Sequence, residues 1–210
     1  MKRLTILTIC ILFVLGLAGC GCKKGDDTGL KESDKVAITV DGNDVYLDEA
    51  KYYAYSSQGT YEIYYIANDQ EIDWNKAVEN STLQGTVKGQ VLDDICRREC
   101  FYAKKDEYNV KLDSEEKDKI DKKVENYFEN TNKTLKDKIG IREKRLKYIF
   151  TKDAIAEKVE DIMESEKKGS AGKYYKDWID DASVDCEKCW SDINFQEHIF
   201  NKKDLETVAL

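Results

Sequence analysis

Apolar residues at Leu83, Val87, Val91, Ile95 and Tyr102 recur at steps of four and seven, which sets them on one stripe of a 3.6-period helix. The spacing predicts a long helix over residues 81–107 whose stripe must be buried, and the rest of the chain reads as elements that cover it. Asp113 then stands three residues ahead of Glu116, the spacing at which an N-cap side chain and an N3 carboxylate satisfy each other's backbone donors. A second helix over 114–130 follows, burying Ile120, Val124, Tyr127 and Phe128 beneath a charged outer face. Residues 134–139 form a short helix that Gly140 ends. Residues 141–168 form another long one, with Leu146, Ile149, Phe150, Ile155, Val159, Ile162 and Met163 inward. After the break at Gly169-Ser-Ala-Gly172, a last helix over 173–181 carries Tyr174, Tyr175, Trp178 and Ile179. Residues 182–195 read as an irregular or short-strand segment anchored by Trp190 and Phe195.

Period two appears only near the start. Val36 to Val40 and Val45 to Leu47 flank Asp41-Gly-Asn-Asp44, which predicts a small hairpin. Those acids lack the twelfth-position Glu of a calcium loop, so the turn reading stands. Asp48 is placed to cap a helix reaching 67, with Ala50, Tyr53, Ala54, Ser57, Tyr61, Tyr64 and Tyr65 toward the inside. Six tyrosines, Tyr52, Tyr53, Tyr55, Tyr61, Tyr64 and Tyr65, lie within it. A tyrosine joins an apolar body to a polar tip, so these rings suit a half-wet binding surface; the alternative for most of them is packing under neighbouring helices. Residues 68–80 read as a loop or short helix around Trp74. Gly85 and Gly89 each cost about 1 kcal/mol of helix propensity and suggest close approach by another segment. The fold class expected is thus mainly all-α, with a short N-terminal β-hairpin.

Lys2 and Arg3 precede an apolar run from Leu4 to Ala18, shorter than the roughly 20 residues that cross a bilayer core. This is the layout of a secretory signal. Its end, Leu17-Ala-Gly-Cys20, resembles the lipobox of bacterial lipoprotein signals, in which the cysteine carries the lipid; the alternative is an ordinary signal with a chance cysteine. The expected organisation is a signal peptide over 1–19, a flexible tether over 20–35, a helical domain over 36–195 and a polar tail over 196–210. Loss of the signal moves the formal charge from −8 to −10, which makes nucleic acid a poor partner. The lipid on Cys20 implies an extracytoplasmic protein held to the membrane of a bacterium.

Candidate chemistry is sparse. Cys96 and Cys100 lie one turn apart, and Cys186 and Cys189 form a C-x-x-C; free thiols, one or two disulfides and a zinc site are all open from spacing. His198, the single histidine, reads as a surface residue. Asp177, Asp180, Asp181 and Asp185 read as a solvated face. No Ser-His-Asp set, phosphate loop or dinucleotide fingerprint occurs. No enzyme, cofactor, metal or nucleotide is expected.

The order of pieces carries a resemblance. The hairpin and helix start VAITVDGNDVYLDEA, the helices VLDDICRRECFYAKKDEYNVKLDSEE and LKDKIGIREKRLKYIFTKDAIAEKVEDIM, and the closing YYKDWIDDASV together resemble the chaperone module of the periplasmic SurA and Gram-positive PrsA lipoprotein family. The similarity covers roughly residues 36–195. It implies a helical cradle for unfolded exported polypeptides; the tyrosines concentrated on the first helix are then, on the reading of their residue type above, the candidate client-binding residues. In that family a prolyl isomerase domain is commonly inserted before the last helix. Here that place, residues 164–173, holds ten residues against the roughly hundred such a domain needs, so no isomerase residue carries over. Ile141 also stands where the family often has a capping Thr or Ser. The resemblance therefore implies a membrane-anchored holdase. A scaffolding lipoprotein dedicated to one envelope partner is the other reading, and a solute-binding lipoprotein is disfavoured because two α/β lobes are missing.

Overall fold

The computed structural model describes residues 34–206. The signal, the lipidation position Cys20 and most of the tether lie outside the described residues. Strand β1 (Val36–Val40) turns at Asp41 and Gly42, both at positive φ, into β2 (Asn43–Tyr46). That double left-handed corner matches the right-handed twist of the two strands, which is why an Asp-Gly pair occupies it. The third strand is β5 (Val184–Cys186), which pairs antiparallel on the other side of β1 and sets Ile38 against Cys186. The segment after the last long helix thus returns to the hairpin and completes the small sheet.

Helix α1 (Leu47–Ala67) starts directly from β2. Asp48 does not cap it. Tyr46 occupies the N-cap position without a side-chain bond, because the strand feeds straight into the first turn, and the Asp48 carboxylate is turned inward to Arg145 Nε at 3.3 Å. Residues 77–82 form a minimal hairpin, β3 (Ala77–Val78) with β4 (Ser81–Thr82), and Trp74 just before it is buried against Tyr61 and Phe195. Thr82 then caps α2 (Leu83–Ala103), accepting the Gly85 N–H at 3.1 Å.

On α2 the stripe Val87, Val91 and Ile95 is buried, with Leu83 and Tyr102 half-covered at its ends. Burial of three such side chains, worth roughly 1.5–3 kcal/mol each, outweighs the two glycines. Gly85 does mark a close approach, since a Cβ there would strike the Ser81 hydroxyl. Gly89 marks none; its surroundings are open. The helix ends at Ala103 rather than near 107, and the chain turns through Asn109 at φ 53°.

Helix α3 (Ser114–Asn130) carries the full capping box: Asp113 accepts the Glu116 N–H at 2.9 Å and Glu116 accepts the Asp113 N–H at 2.8 Å. Substituting Asp113→Ala removes one of these and exposes the other end, so a loss of about 1 kcal/mol in a urea titration is expected. An unchanged midpoint would mean that α3 is held by its packing alone. Ile120, Val124 and Tyr127 are buried, whereas Phe128 is 37% exposed, one position too far round the axis to reach the core.

Asn132 caps α4 (Lys133–Ile139), and Gly140 ends it at φ 64°. Helix α5 (Glu143–Glu166) begins without a side-chain cap, as the apolar Ile141 suggests. Its inward row is Leu146, Ile149, Ala156, Val159 and Met163, with Phe150, Ile155 and Ile162 on the flanks. Gly169, at φ 81°, makes the corner into α6 (Ser170–Asp181), which starts earlier than the glycine pair suggests. Short helices α7 (Lys188–Asp192) and α8 (Lys202–Glu206) close the described chain. The architecture is mainly helical with a small antiparallel sheet at one end. Helix α2 lies at its centre, packed most extensively on α5 and also on α1 and α6.

Candidate functional site

Two hollows meet on one side of the α1–α2–α5 packing. One, of about 300 Å³, is walled by Tyr52, Tyr53 and Tyr61 from α1 with Val91 from α2. The other, of about 470 Å³, is walled by Phe101, Phe150, Ala154 and Ala156. Asp94, Arg98 and Asp153 line both, so they form one cleft.

The centre of this cleft is tightly organised. Arg98 Nε lies 3.1 Å from Asp153 Oδ1, and its guanidinium stacks 4.9 Å from the centre of the Tyr53 ring. The Tyr53 hydroxyl donates to Asp153 at 2.8 Å. Burial raises the Asp153 carboxyl above its ordinary pKa, against the opposing pull of Arg98. Tyr52 packs edge-on to Tyr53, Tyr127 and Phe150 with ring centres 5.4–6.0 Å apart. Burial, with the charge of Asp153, pushes its phenol up to about 12, so it stays a neutral donor at physiological pH. Tyr61 donates to Gln90 at 3.0 Å. On the far wall Arg97 grips Glu160 through two nitrogens and lies 5.1 Å from the Phe101 ring centre. The surface therefore consists of aromatic faces fixed from behind and polar groups at their edges.

Of the six tyrosines singled out in the sequence, the fold brings Tyr52, Tyr53 and Tyr61 to the cleft and disperses the rest. Tyr55 lies about 200° round the helix from Tyr53, at 100° per residue. It is buried, with its ring 6.3 Å from Phe195 and Lys138 over its face. Tyr64, 63% exposed, and the half-buried Tyr65 sit beyond the cleft on the last turns of α1. The α2 and α5 contributors, Asp94, Arg97, Arg98, Phe101, Phe150 and Asp153, were not legible as a group, because their partners are 50 or more residues away. The adjacent arginines in an otherwise acidic chain were the one available signal.

The four cysteines outside the N-terminal region are free thiols. Cys96 and Cys100 are buried in α2, and burial pushes both up to about 12, which keeps them protonated and unreactive. Cys186 lies on exposed β5. Cys189 is half-buried, and its thiol donates to the Val36 carbonyl at 3.2 Å. The disulfide reading is thus not realised among them; pairing of β5 with β1 ties this segment in instead. Among the described residues no group of three potential ligands is placed to hold a metal. Asp177, Asp180, Asp181 and Asp185 are all exposed.

His198 is exposed, as the sequence suggests, and its Nδ1 lies 3.2 Å from the buried Glu62. The tail is not purely polar, since Ile199 is buried.

No family model, curated protein or solved structure matches this chain. The class defined by fold and site is a helical protein with an aromatic, polar-rimmed cleft. Among the described residues no helix is long and apolar enough to cross a membrane.

Proposed function

We propose that this protein is an extracytoplasmic holdase, anchored to the membrane by lipid at Cys20, that binds unfolded exported polypeptides in the α1–α2–α5 cleft. The single observation that carries the reading is the cleft itself, in which the half-buried rings of Tyr52, Tyr61 and Phe150, backed by the buried Tyr53 and Phe101, line hollows open to solvent. Hollows of about 300 and 470 Å³ take a few side chains rather than a folded domain. Rings with polar edges accept many sequences and release them, which suits weak, multisite holding without a nucleotide. The resemblance of the element order to the SurA and PrsA module supports the same activity. The prolyl isomerase segment of that family has no counterpart at residues 164–173, so the reading involves no catalysis.

Light scattering from an aggregating client tests this. Several-fold molar excess of the full chain is expected to suppress aggregation. Tyr61→Ala should raise the excess needed for half-suppression about three- to tenfold, while Tyr61→Phe stays near wild type. Absence of suppression by wild type rejects the holdase, and one stoichiometric partner in co-purification assigns the cleft to a dedicated complex instead.

A further inference from the structure

The charges lining the cleft are not balanced where it widens toward α5. Arg97 pairs with Glu160, Arg98 with Asp153, and Glu99 with Lys152, so α2 and α5 run antiparallel across it. Four residues back from Arg98 along α2 is Asp94, and four residues on from Asp153 along α5 is Glu157. Residues four apart share a helix face. The register therefore sets Asp94 and Glu157 across from each other, one turn beyond the Arg98–Asp153 pair, and both line the larger hollow. Both are exposed, and among the described residues no ion pair joins either carboxylate. The two arginines of the cleft are already engaged by Glu160 and Asp153. Lys123, from α3, lines the same hollow but pairs with neither carboxylate.

Two like charges on one rim of a cleft repel, and a cation entering between them relieves that repulsion. The half-buried Phe150 of the same hollow adds an apolar surface on which the stem of a lysine or arginine can lie. We infer that the cleft selects client segments in which a lysine or arginine side chain accompanies an apolar or aromatic run, the cation seated between Asp94 and Glu157. This rests on the reading of the cleft as a client site. The formal charge of −10 without the signal attracts such segments at long range and repels acidic ones.

The test uses fluorescence anisotropy with the full chain and three labelled twelve-residue peptides that share Phe and Leu but carry Lys, Gln or Glu at the centre. The Lys peptide is expected to bind roughly five- to tenfold tighter than the Glu peptide at moderate salt. Asp94→Asn with Glu157→Gln should bring the two within about twofold while leaving the Gln peptide unchanged. Equal binding of all three peptides to wild type overturns the selection and leaves the holdase reading standing. A preference that survives the double substitution overturns its location. Failure of every peptide to bind removes both the selection and the client site.

Discussion

Substituting Lys152→Met is expected to lower the unfolding free energy at neutral pH by about 3–5 kcal/mol, because it strands two buried carboxylates. The ammonium of Lys152, on α5, contacts Glu49 of α1 and lies 2.5 Å from Glu99 of α2. All three side chains are buried, so one triad joins the three central helices. Burial alone would lower the pKa of Lys152, but the two carboxylates outweigh it and hold the group above the usual lysine range. Burial pushes the Glu49 carboxyl up, and Lys152 only partly offsets this.

The signs follow. A raised lysine contributes stability that is present below its unfolded pKa and lost as pH rises through the folded one. A raised carboxyl in the folded state likewise favours folding below its unfolded pKa, and that advantage is lost as pH rises through the folded value. Without Lys152, Glu49 loses the charge that opposes its desolvation and titrates higher still, so the deficit of the variant should shrink as pH falls toward the carboxylate range. Urea titrations at pH 7.5 and 5.0 measure this. The triple variant Glu49→Leu, Glu99→Leu, Lys152→Met, with no stranded charge, should regain most of the loss. A deficit under about 1 kcal/mol that does not change with pH would mean that water reaches the triad.

Substituting Glu62→Ala is expected to release residues 196–201 and cost about 2–4 kcal/mol. One carboxylate oxygen accepts the backbone N–H groups of Ile199 at 2.8 Å and Phe200 at 2.9 Å. The other accepts from Gln58 Nε2 at 2.7 Å and Trp74 Nε1 at 3.4 Å, beside His198. The Glu62 side chain is 1% exposed, so its loss leaves buried donors without an acceptor. Phe200 also lies against Gly59, where an added Cβ would come within 2.9 Å of the ring. Hydrogen exchange is the direct readout: the Ile199 and Phe200 amides should exchange at nearly the rate of free chain in the variant. Protection there equal to wild type would show that apolar packing, not Glu62, holds the segment.

Much of the helical framework is legible from local signals. The period of Val87, Val91 and Ile95, the Asp113–Glu116 box, the Gly140 stop and the Asp-Gly corner each depend on residues within a turn or two of one another, so the chain alone specifies them. Boundaries moved where a neighbouring element took over. Residue 48 turned inward because β2 runs directly into α1, and the short strand that is one option for 182–195 forms on the open edge of β1. The candidate site was legible in part: the tyrosine-rich helix pointed to α1, but only Tyr52, Tyr53 and Tyr61 reach the cleft.

By itself, then, the sequence determined the helical class, the Asp113 capping box, the Gly140 stop and the stripe of α2, since helix periodicity and capping are short-range physics. The tertiary structure alone decided which tyrosines face a cleft, that Lys152 sits between two acids, that Glu62 holds the tail, and that Asp94 and Glu157 line one hollow. Each of those rests on the meeting of helices distant in sequence, and the energy of a charge or a ring is set by what surrounds it in space.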